Sequence, residues 1–325
     1  MSMVKIVGVG HYCPENTVSN DKLSTLVDTS HEWIVKRTGI YERKISKGES
    51  TVDLAVKASI NAMNMANCKP KDIDLIIVAT TSPDRIMPST ACSVQNLLGC
   101  NNATAFDVTA ACSGFLYATI IANSLIKGGE GSKALVIGSE VLSRIVNWND
   151  RNTCVLFGDG AGAAILEIST DNSKIISTYF GSDGKTGTKA LMANQFPINT
   201  PFTNGNLTRE KYIQMDGKEV FKFAISIIPT VVNKLLNNSG EDIANIKYII
   251  PHQANSRIIE DAAKKLNIDK NKFYINLESY GNTSSASVPI ALSEAINKKL
   301  ITKGDKIILV AFGGGLTWAG VLLEF

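Results

Sequence analysis

An internal duplication limits what this chain can fold into more than any other feature. A turn and apolar strand run in the first half, KDIDLIIVATTSPD, has a counterpart in EDIANIKYIIPHQAN. A second pair, AACSGFLYATIIANSLIKGGEGSKALVIGSE and YGNTSSASVPIALSEAINKKLITKGDKIILVAFGG, shares the order loop, helix, glycine-containing turn and buried strand. Both pairs are offset by roughly 170 residues, too long for a solenoid repeat and typical of a duplicated domain. The sequence therefore predicts two related halves, residues 1–170 and 171–325, joined near Ser169 to Lys174.

Both halves alternate Val- and Ile-rich runs with helical patterns, which is typical of α/β folds with buried central strands. The predicted strands are Val4 to Val9, Leu75 to Thr80, Ala105 to Val108, Ala134 to Ile137, Tyr248 to Ile250 and Lys306 to Val310. The predicted helices are Val52 to Met65, Ser113 to Lys127, Val220 to Leu236, Ser256 to Leu266 and Ala286 to Lys299. The stretch from Gly184 to Lys211 has no sustained period, so loops over one face are expected there. Two such halves facing each other would bring corresponding helix starts to one cleft, where the functional site is predicted.

Composition disfavours several classes of function. The chain has 325 residues and a formal charge of +3, with no polybasic run that would indicate a nucleic-acid or membrane-surface partner. Its first residues lack the pattern of a secretory signal, and no apolar run approaches transmembrane length, so a cytoplasmic protein is expected. The six cysteines contain no CxxC pair. Disulfides and a zinc site are therefore both unexpected.

Cys112 is the cysteine whose neighbours predict reactivity. It follows the apolar strand run TAFDVTAA and precedes a helical pattern with small early residues, an order that predicts a strand-to-helix elbow. A thiol there faces unpaired N–H groups and the positive end of the helix dipole, which favour thiolate over thiol. The expected role of Cys112 is therefore that of a nucleophile. A buried inert cysteine is the alternative that this segment alone leaves open.

Only three histidines are available to assist such a nucleophile. His252 follows the strand run YIIP and precedes a helix, where an imidazole can donate to negative charge that develops on a thioester oxygen. A structural histidine is the alternative. Asn282 is expected to occupy the repeat position that corresponds to Cys112, so the duplication should bring the two residues together. Its amide can supply a second donor, and an Asx cap on the Ser-rich turn is compatible with that role.

Two glycine-rich segments predict different things. In AFGGGLTWAG three glycines follow a buried strand, and glycine lets backbone N–H groups point at a ligand. Gly314 is therefore a candidate oxyanion donor together with the Cys112 N–H. The segment FGDGAGAA precedes a strand-like run and has no phosphate-loop lysine, so nucleotide binding is not expected there.

Five ordered motifs extend across the chain: TSHEWIVKRTGI, TAACSGF, PHQAN, YGNTSSASVP and FGGGLTW. Together they resemble, from end to end, the N-terminal, nucleophile, histidine, asparagine and glycine motifs of the β-ketoacyl-acyl-carrier-protein synthase III family. The resemblance implies a thiolase-like α/β fold, with two duplicated α/β halves in a layered α-β-α-β-α arrangement. It also implies a homodimer.

The resemblance implies a two-step acyl transfer that initiates fatty acid biosynthesis. Cys112 would take an acyl group from a short acyl-CoA, by default acetyl-CoA, and malonyl-acyl-carrier protein would then bind and lose CO2. The enolate would attack the acyl-enzyme and give a 3-oxoacyl-acyl-carrier protein. His252 and Asn282 would stabilise the enolate, and the Cys112 and Gly314 amides the tetrahedral oxyanions. Because decarboxylation supplies the carbanion, no cofactor or metal is expected.

The resemblance also implies substrate contacts. Trp33, Arg37 and Arg151 match residues that contact the adenine end of CoA, and Asn255 matches an asparagine on the pantetheine arm. The expected carrier-protein docking surface consists of Gln253, Ala254, Asn255, Ser256, Arg257, Lys264 and Lys265. Its basic side chains suit an acidic partner. Met87 stands where a bulky aromatic often closes the acyl pocket across a dimer interface, and a flexible methionine can admit longer or branched primers.

Three alternatives remain open at this point. One is a related ketosynthase of secondary metabolism, and another is a catalytically silent CoA- or carrier-binding module. The third is a Cys-His-Asn hydrolase, although the nucleophile lacks CGSCW-like surroundings and the duplication would be unexplained. Elongating two-histidine synthases and thiolases fit less well, because His252 is the only histidine of the second half and no cysteine follows Cys154. Plant-type polyketide synthases share the Cys-His-Asn set but have longer chains.

Overall fold

Two mixed β-sheets form the framework of the fold. The computed structural model describes residues 3–194, 197, 200–203 and 211–325. The first sheet has the strand order β1 (Val4–Tyr12), β7 (Gly160–Ile168), β6 (Lys133–Glu140), β4 (Leu75–Ala79) and β5 (Thr104–Val108). The second has the order β11 (Ile246–Pro251), β12 (Lys306–Gly313), β13 (Thr317–Glu324) and β8 (Lys174–Ser182). Two small antiparallel sheets pair β2 (Thr17–Ser19) with β3 (Glu42–Lys44) and β9 (Leu191–Met192) with β10 (Gln214–Met215).

Helices fill three layers around these sheets. The described helices are α1 (Asn20–Ser24), α2 (His31–Thr38), α3 (Thr51–Met65), α4 (Thr90–Leu98), α5 (Gly114–Gly128), α6 (Gly184–Ala190), α7 (Gly217–Ser239), α8 (Ser256–Leu266), α9 (Leu277–Tyr280) and α10 (Ser287–Asn297). Helices α5 and α10 lie between the two sheets and share one apolar core with both. A second core packs α3 and α4 on the outer face of the first sheet, and a third packs α7 and α8 on the outer face of the second. The predicted α-β-α-β-α layering of a thiolase-like fold is confirmed.

The strand order repeats between the two sheets. In each, a parallel pair (β4 with β6, β11 with β12) is followed by two antiparallel neighbours (β7 and β1, β13 and β8). Lys133 and Lys306, which begin β6 and β12, are 173 residues apart. The strands of the first sheet end at Ile168 and those of the second begin at Lys174. Whether the halves 1–170 and 171–325 are separate domains stays a prediction.

Each repeat contains an elbow with a residue in the left-handed region. Ala111, with φ 46°, begins the 3-10 turn before α5, and Ser284, with φ 50°, begins the matching turn before α10. Because these two positions match, the counterpart of Cys112 is Ser285. The expectation that Asn282 occupies that position is therefore wrong: Asn282 lies three residues earlier, in the loop that leads into the elbow.

The structure also corrects the loop predicted from Gly184 to Lys211. Helix α6 and strand β9 lie within it, and the Asp183 side chain caps α6 by accepting from the backbone N–H groups of Lys185 and Thr186. Residues 195–196, 198–199 and 204–210 of that prediction lie outside the described part of the chain. None of the described helices is long and apolar enough to cross a membrane.

Candidate active site

A cavity of about 140 Å³ lies where the elbow before α5 meets the ends of β11 and β12. Cys112, His252 and Asn282 all line it, so the structure brings the three predicted residues together. The rest of its wall consists of Leu156, Phe157, Leu191, Met215, Gly217, Val220, Phe221, Phe223, Ala254, Asn255, Ile258, Phe312, Gly313 and Leu316. An apolar wall with a few convergent polar groups is typical of a small-molecule site.

Cys112 is buried in the elbow, with 7% of its surface exposed. A Cβ atom on Gly313 would lie 2.6 Å from the Cys112 backbone nitrogen, so only glycine lets strand β12 approach the elbow this closely. Burial raises the pKa of the Cys112 thiol to about 12, and a hydrogen bond with the Ser284 side chain opposes the rise. The sequence predicts the opposite direction. Burial, which the local sequence does not reveal, is the main cause of the raised pKa, and a thiol with this pKa is neutral at rest.

His252 lies at the end of β11 and is neutral as well. Burial lowers its pKa to about 3. Its Nδ1 atom lies 2.7 Å from the Ser287 hydroxyl oxygen, which also accepts a 3.4 Å hydrogen bond from the Gln253 backbone N–H. A hydroxyl has one proton and two lone pairs, so with the Gln253 N–H on one lone pair Ser287 can donate its proton to Nδ1 or accept a proton from it. When Ser287 donates to Nδ1, the imidazole carries its proton on Nε2, and this N–H is available as a donor in the cavity.

Asn282 is held on three sides. Its backbone N–H donates to the Leu156 carbonyl at 2.8 Å, and its carbonyl accepts from the Gly158 N–H at 3.0 Å. Its side-chain Oδ1 accepts from the Ser284 N–H at 2.9 Å, which is an Asx turn. With Oδ1 engaged, the Nδ2 group is left to donate. The cap and the donor role that the sequence allows for this residue are thus compatible in one geometry.

The glycine motif contributes two different residues to this region. Gly313 lines the cavity beside Cys112. The space where a Gly314 Cβ would stand borders Leu191 instead, and the Gly314 carbonyl accepts from the Thr317 hydroxyl at 3.1 Å. The oxyanion role of the Gly314 N–H therefore stays a prediction.

Aromatic and basic groups gather on the surface around α2. The Arg37 and Arg151 guanidinium carbons lie 5.0 and 5.4 Å from the centre of the Trp33 ring. Asn255 lines the cavity and also donates to the Arg37 carbonyl at 2.9 Å. The four residues predicted to contact CoA therefore form one cluster that continues into the cavity. An indole flanked by guanidinium groups suits an adenine ring and its phosphates.

Comparisons with known proteins decide the family. Models of 3-oxoacyl-[acyl-carrier-protein] synthase III match residues 106–184 and, for the C-terminal part of that enzyme, residues 236–325. A β-ketoacyl-[acyl-carrier-protein] synthase III of Clostridium botulinum (strain Hall) is 52% identical over 323 residues, 99% of each chain. The chain belongs to the β-ketoacyl-acyl-carrier-protein synthase III family.

Solved structures of this family agree with the assignment. The synthase III of Aquifex aeolicus has a TM-score of 0.93 and 46% identity, and 99% of this chain and 100% of that chain are covered. The Thermus thermophilus enzyme has a TM-score of 0.92 and 39% identity, with 99% of each chain covered. The predicted condensing acyltransferase that initiates fatty acid synthesis is confirmed and favoured over the secondary-metabolism alternative.

The surface predicted for carrier-protein docking is only partly a surface in this synthase III. Arg257, Lys264 and Lys265 are exposed on α8, and Ala254 and Ser256 are half-buried. Gln253 is 1% exposed. Its side chain donates to the Pro251 and Tyr274 carbonyls and accepts from the Asn276 N–H. The docking prediction for Gln253 is therefore wrong, because this side chain ties β11 to the segment before α9.

Met87 lies outside the cavity of its own chain, with 80% of its surface exposed. The role of Met87 at an acyl pocket across a dimer interface therefore stays a prediction. Ser287, whose hydroxyl contacts His252 Nδ1, is a residue of the site that the sequence does not indicate. A serine in SSASVP has no feature that points to a histidine 35 positions earlier.

Proposed function

We propose that Cys112, His252 and Asn282 catalyse the decarboxylative condensation of a short acyl-CoA with malonyl-acyl-carrier protein. The products are a 3-oxoacyl-acyl-carrier protein, CO2 and CoA. The observation that carries the proposal is the pairing, in one apolar cavity, of a single thiol with two neutral N–H donors. Neutral donors stabilise a developing oxyanion without taking part in proton transfer.

The first step transfers the acyl group to Cys112. The sulfur attacks the thioester carbonyl, a C–S bond forms, and the bond to the CoA sulfur breaks. Because the resting thiol is neutral, its proton must leave as the bond forms and ends on the departing CoA thiolate. Backbone N–H groups of Cys112 and Gly314 are proposed to hold the tetrahedral oxygen.

The second step forms the carbon–carbon bond. When malonyl-acyl-carrier protein loses CO2, the electron pair of the broken C–C bond stays on the α-carbon. The negative charge is shared with the thioester oxygen. His252 through Nε2–H and Asn282 through Nδ2–H are proposed to donate to that oxygen. The α-carbon then attacks the acyl group on Cys112 and releases the thiolate, which takes up a proton. Because the broken bond to the carboxylate supplies the electron pair, the proposal requires no cofactor or metal.

The partners follow from the surface of the cavity. We propose that the CoA adenine binds at Trp33 with Arg37 and Arg151, and that Asn255 holds the pantetheine arm. The exposed cations of α8, Arg257 among them, suit an acidic carrier protein. A homodimer in which Met87 closes the partner's acyl pocket, and a cytoplasmic location, belong to the same proposal.

Mass spectrometry of the intact protein after incubation with a panel of acyl-CoAs tests the first step. One acyl group should appear on Cys112 and be lost in Cys112→Ser. Labelling of Cys92 or Cys154 would contradict the assignment. The panel also identifies the preferred primer.

Release of CO2 from malonyl-acyl-carrier protein tests the second step. His252→Ala and Asn282→Ala should impair it by roughly 100-fold, the usual cost of removing one oxyanion donor, and reduce self-acylation far less. An equal loss of both steps would contradict the proposed division of labour.

A further inference from the structure

Arg43 is a fully buried cation close to the active site that the proposed chemistry does not use. Its side chain is 0% exposed. It donates from Nη1 to the Val18 carbonyl at 3.0 Å, and from Nη2 to Asn20 Oδ1 at 2.8 Å and the Val155 carbonyl at 2.9 Å. Its Nε has no hydrogen-bond partner, and no carboxylate pairs with it within the part of the chain that the structure describes.

A buried cation of this kind lowers the folding stability, so packing alone does not explain it. Burial lowers the pKa of Arg43 to about 10, so the guanidinium stays charged at neutral pH. Burying a charge without a counter-charge is unfavourable, and carbonyl dipoles repay only part of the cost. An apolar side chain of similar volume would avoid that penalty. The cation therefore needs another explanation, and its contacts provide one.

The segment that Arg43 holds is the one that fixes Asn282. Val155 accepts from Arg43, the next residue, Leu156, accepts from the Asn282 N–H, and Gly158 donates to the Asn282 carbonyl. Thus residues 155–158 clamp Asn282 on one side and are attached to the guanidinium on the other. Leu156 and Phe157 of the same segment line the cavity.

Two glycines show how closely Arg43 packs beneath this clamp. A Cβ atom on Gly281 would lie 3.1 Å from the Arg43 Cβ, and one on Gly158 would lie 3.3 Å from it. Gly281 directly precedes Asn282, and its φ of 67° is in the left-handed region that glycine favours. Arg43 therefore packs against both the 155–158 segment and the segment that carries Asn282.

The anchors of Cys112 are different. Its elbow is held by the Ala110 carbonyl, which accepts from the Ser113 N–H and from the Thr317 hydroxyl at 3.0 Å, and by the close approach of β12 at Gly313. None of these contacts passes through residues 155–158. Ser284 links the two sites, because its side chain contacts the Cys112 thiol and its N–H donates to Asn282 Oδ1. A disturbance at Arg43 should consequently reach Asn282 first and Cys112 after it, through Ser284.

We propose that Arg43 is a positioning residue for malonyl decarboxylation, which holds the 155–158 clamp so that the Asn282 amide points into the cavity. The inference rests on the proposed function, which assigns Asn282 to the enolate. A displacement of a catalytic group by about 1 Å can reduce a rate by roughly 100-fold. Loss of Arg43 should therefore reduce decarboxylation by about 10- to 100-fold.

The test compares two half-reactions in Arg43→Met. The rate of Cys112 acetylation by acetyl-CoA, followed by intact-protein mass spectrometry, should stay within about threefold of the wild-type rate. CO2 release from malonyl-acyl-carrier protein should fall by about 10- to 100-fold. Lys272→Met is the matched control. Like Arg43, Lys272 is a cation with three hydrogen-bond acceptors, here the carbonyls of Ile243, Ala244 and Ile246, at a site that does not border the cavity.

Asn282→Ala serves as the benchmark for the selective loss. If Asn282→Ala shows the split and Arg43→Met does not, Arg43 has no positioning role and the proposal is overturned. The same conclusion follows if Arg43→Met slows both steps equally, or if Lys272→Met produces the same split. If Asn282→Ala itself shows no split, the proposed function fails first and the role of Arg43 fails with it.

Arg43→Lys decides the matter if Arg43→Met does not fold. A lysine keeps the charge but concentrates it on one ammonium group, whereas the planar guanidinium of arginine reaches acceptors on separate segments from two different nitrogen atoms. Folding is established by a cooperative thermal transition and by normal Cys112 acetylation. The ratio of decarboxylation to acetylation should then fall by about fivefold or more, and an unchanged ratio would overturn the proposal.

Discussion

The serine that contacts His252 offers the sharpest test of the donor geometry. Ser287→Ala removes the hydroxyl that lies 2.7 Å from Nδ1 and leaves the imidazole otherwise in place. The buried Nδ1 atom then has no partner in either tautomer. The tautomer proposed for catalysis, with the proton on Nε2, loses the hydrogen bond that Ser287 donates, and the ring is free to populate the tautomer with the proton on Nδ1. In the second tautomer Nε2 is an acceptor and cannot donate to an enolate.

The expected magnitude follows from the worth of one buried hydrogen bond. A net contribution of about 1 to 2 kcal/mol corresponds to a factor of roughly 5 to 30 in the population of the ring orientation and tautomer that Ser287 holds. Decarboxylation should fall by up to that factor, which is less than the roughly 100-fold expected for His252→Ala, because the ring itself remains. Acylation of Cys112 should change little, since no step of it is assigned to His252.

Ser293→Ala provides the control. Ser293 lies on the same helix, α10, and its hydroxyl oxygen is 2.8 Å from the Nδ1 atom of another histidine, His11, away from the cavity. CO2 release and Cys112 acetylation should be measured for both variants, together with their thermal unfolding. Wild-type decarboxylation in Ser287→Ala would refute the tautomer argument, and so would an equal loss in Ser293→Ala.

Two further predictions concern pH and the primer. The folded-state pKa of His252 is about 3 and its ordinary value is 6.5, so between these values the unfolded chain binds a proton that the folded chain does not. The free energy of unfolding should fall as the pH falls from 6.5 towards 3, and denaturant titrations should show a smaller fall for His252→Asn; equal slopes would contradict the burial argument. Met87→Phe should lower kcat/KM for four- and five-carbon primers relative to acetyl-CoA by at least roughly tenfold, because one methylene in an apolar pocket is worth about 1–3 kcal/mol. An unchanged primer profile in an intact dimer would show that Met87 does not limit the pocket.

Elements with strong local patterns could be predicted from the sequence. The apolar run LIIVA and its counterpart YIIP lie in buried strands, each of which pairs in parallel with a neighbour in its own sheet. The helix predicted from Ser256 to Leu266 has these bounds in the structure. Helix α2 was missed although its signals are present. Ser30 caps it by accepting from the Trp33 N–H, and Gly39 ends it with φ 79°. The spacing of apolar residues alone does not identify this helix, because it has only eight residues and most of them are polar.

The parts that failed depend on contacts between distant residues. The pKa of Cys112 is set by burial between two halves of the chain, which no local segment reveals. Gln253 follows His252 in a polar motif and looks like a surface residue, yet its partners are brought to it by the sheet. Arg43 likewise reads as an ordinary surface charge. Polar residues that tertiary structure buries are the ones that sequence patterns misplace.

The place of β13 has a consequence for the order in which the chain folds during synthesis. The first sheet has all its strands once Ile168 has been made. In the second sheet β13 lies between β12 and β8, and Lys174 of β8 pairs with Glu324, 150 residues later. Such non-local pairing is slow and leaves an apolar strand unpaired until its neighbour arrives. We expect the first sheet to be completed before the second, and the elbow of Cys112 to gain its contacts with Gly313 and Thr317 only when β12 and β13 have been made.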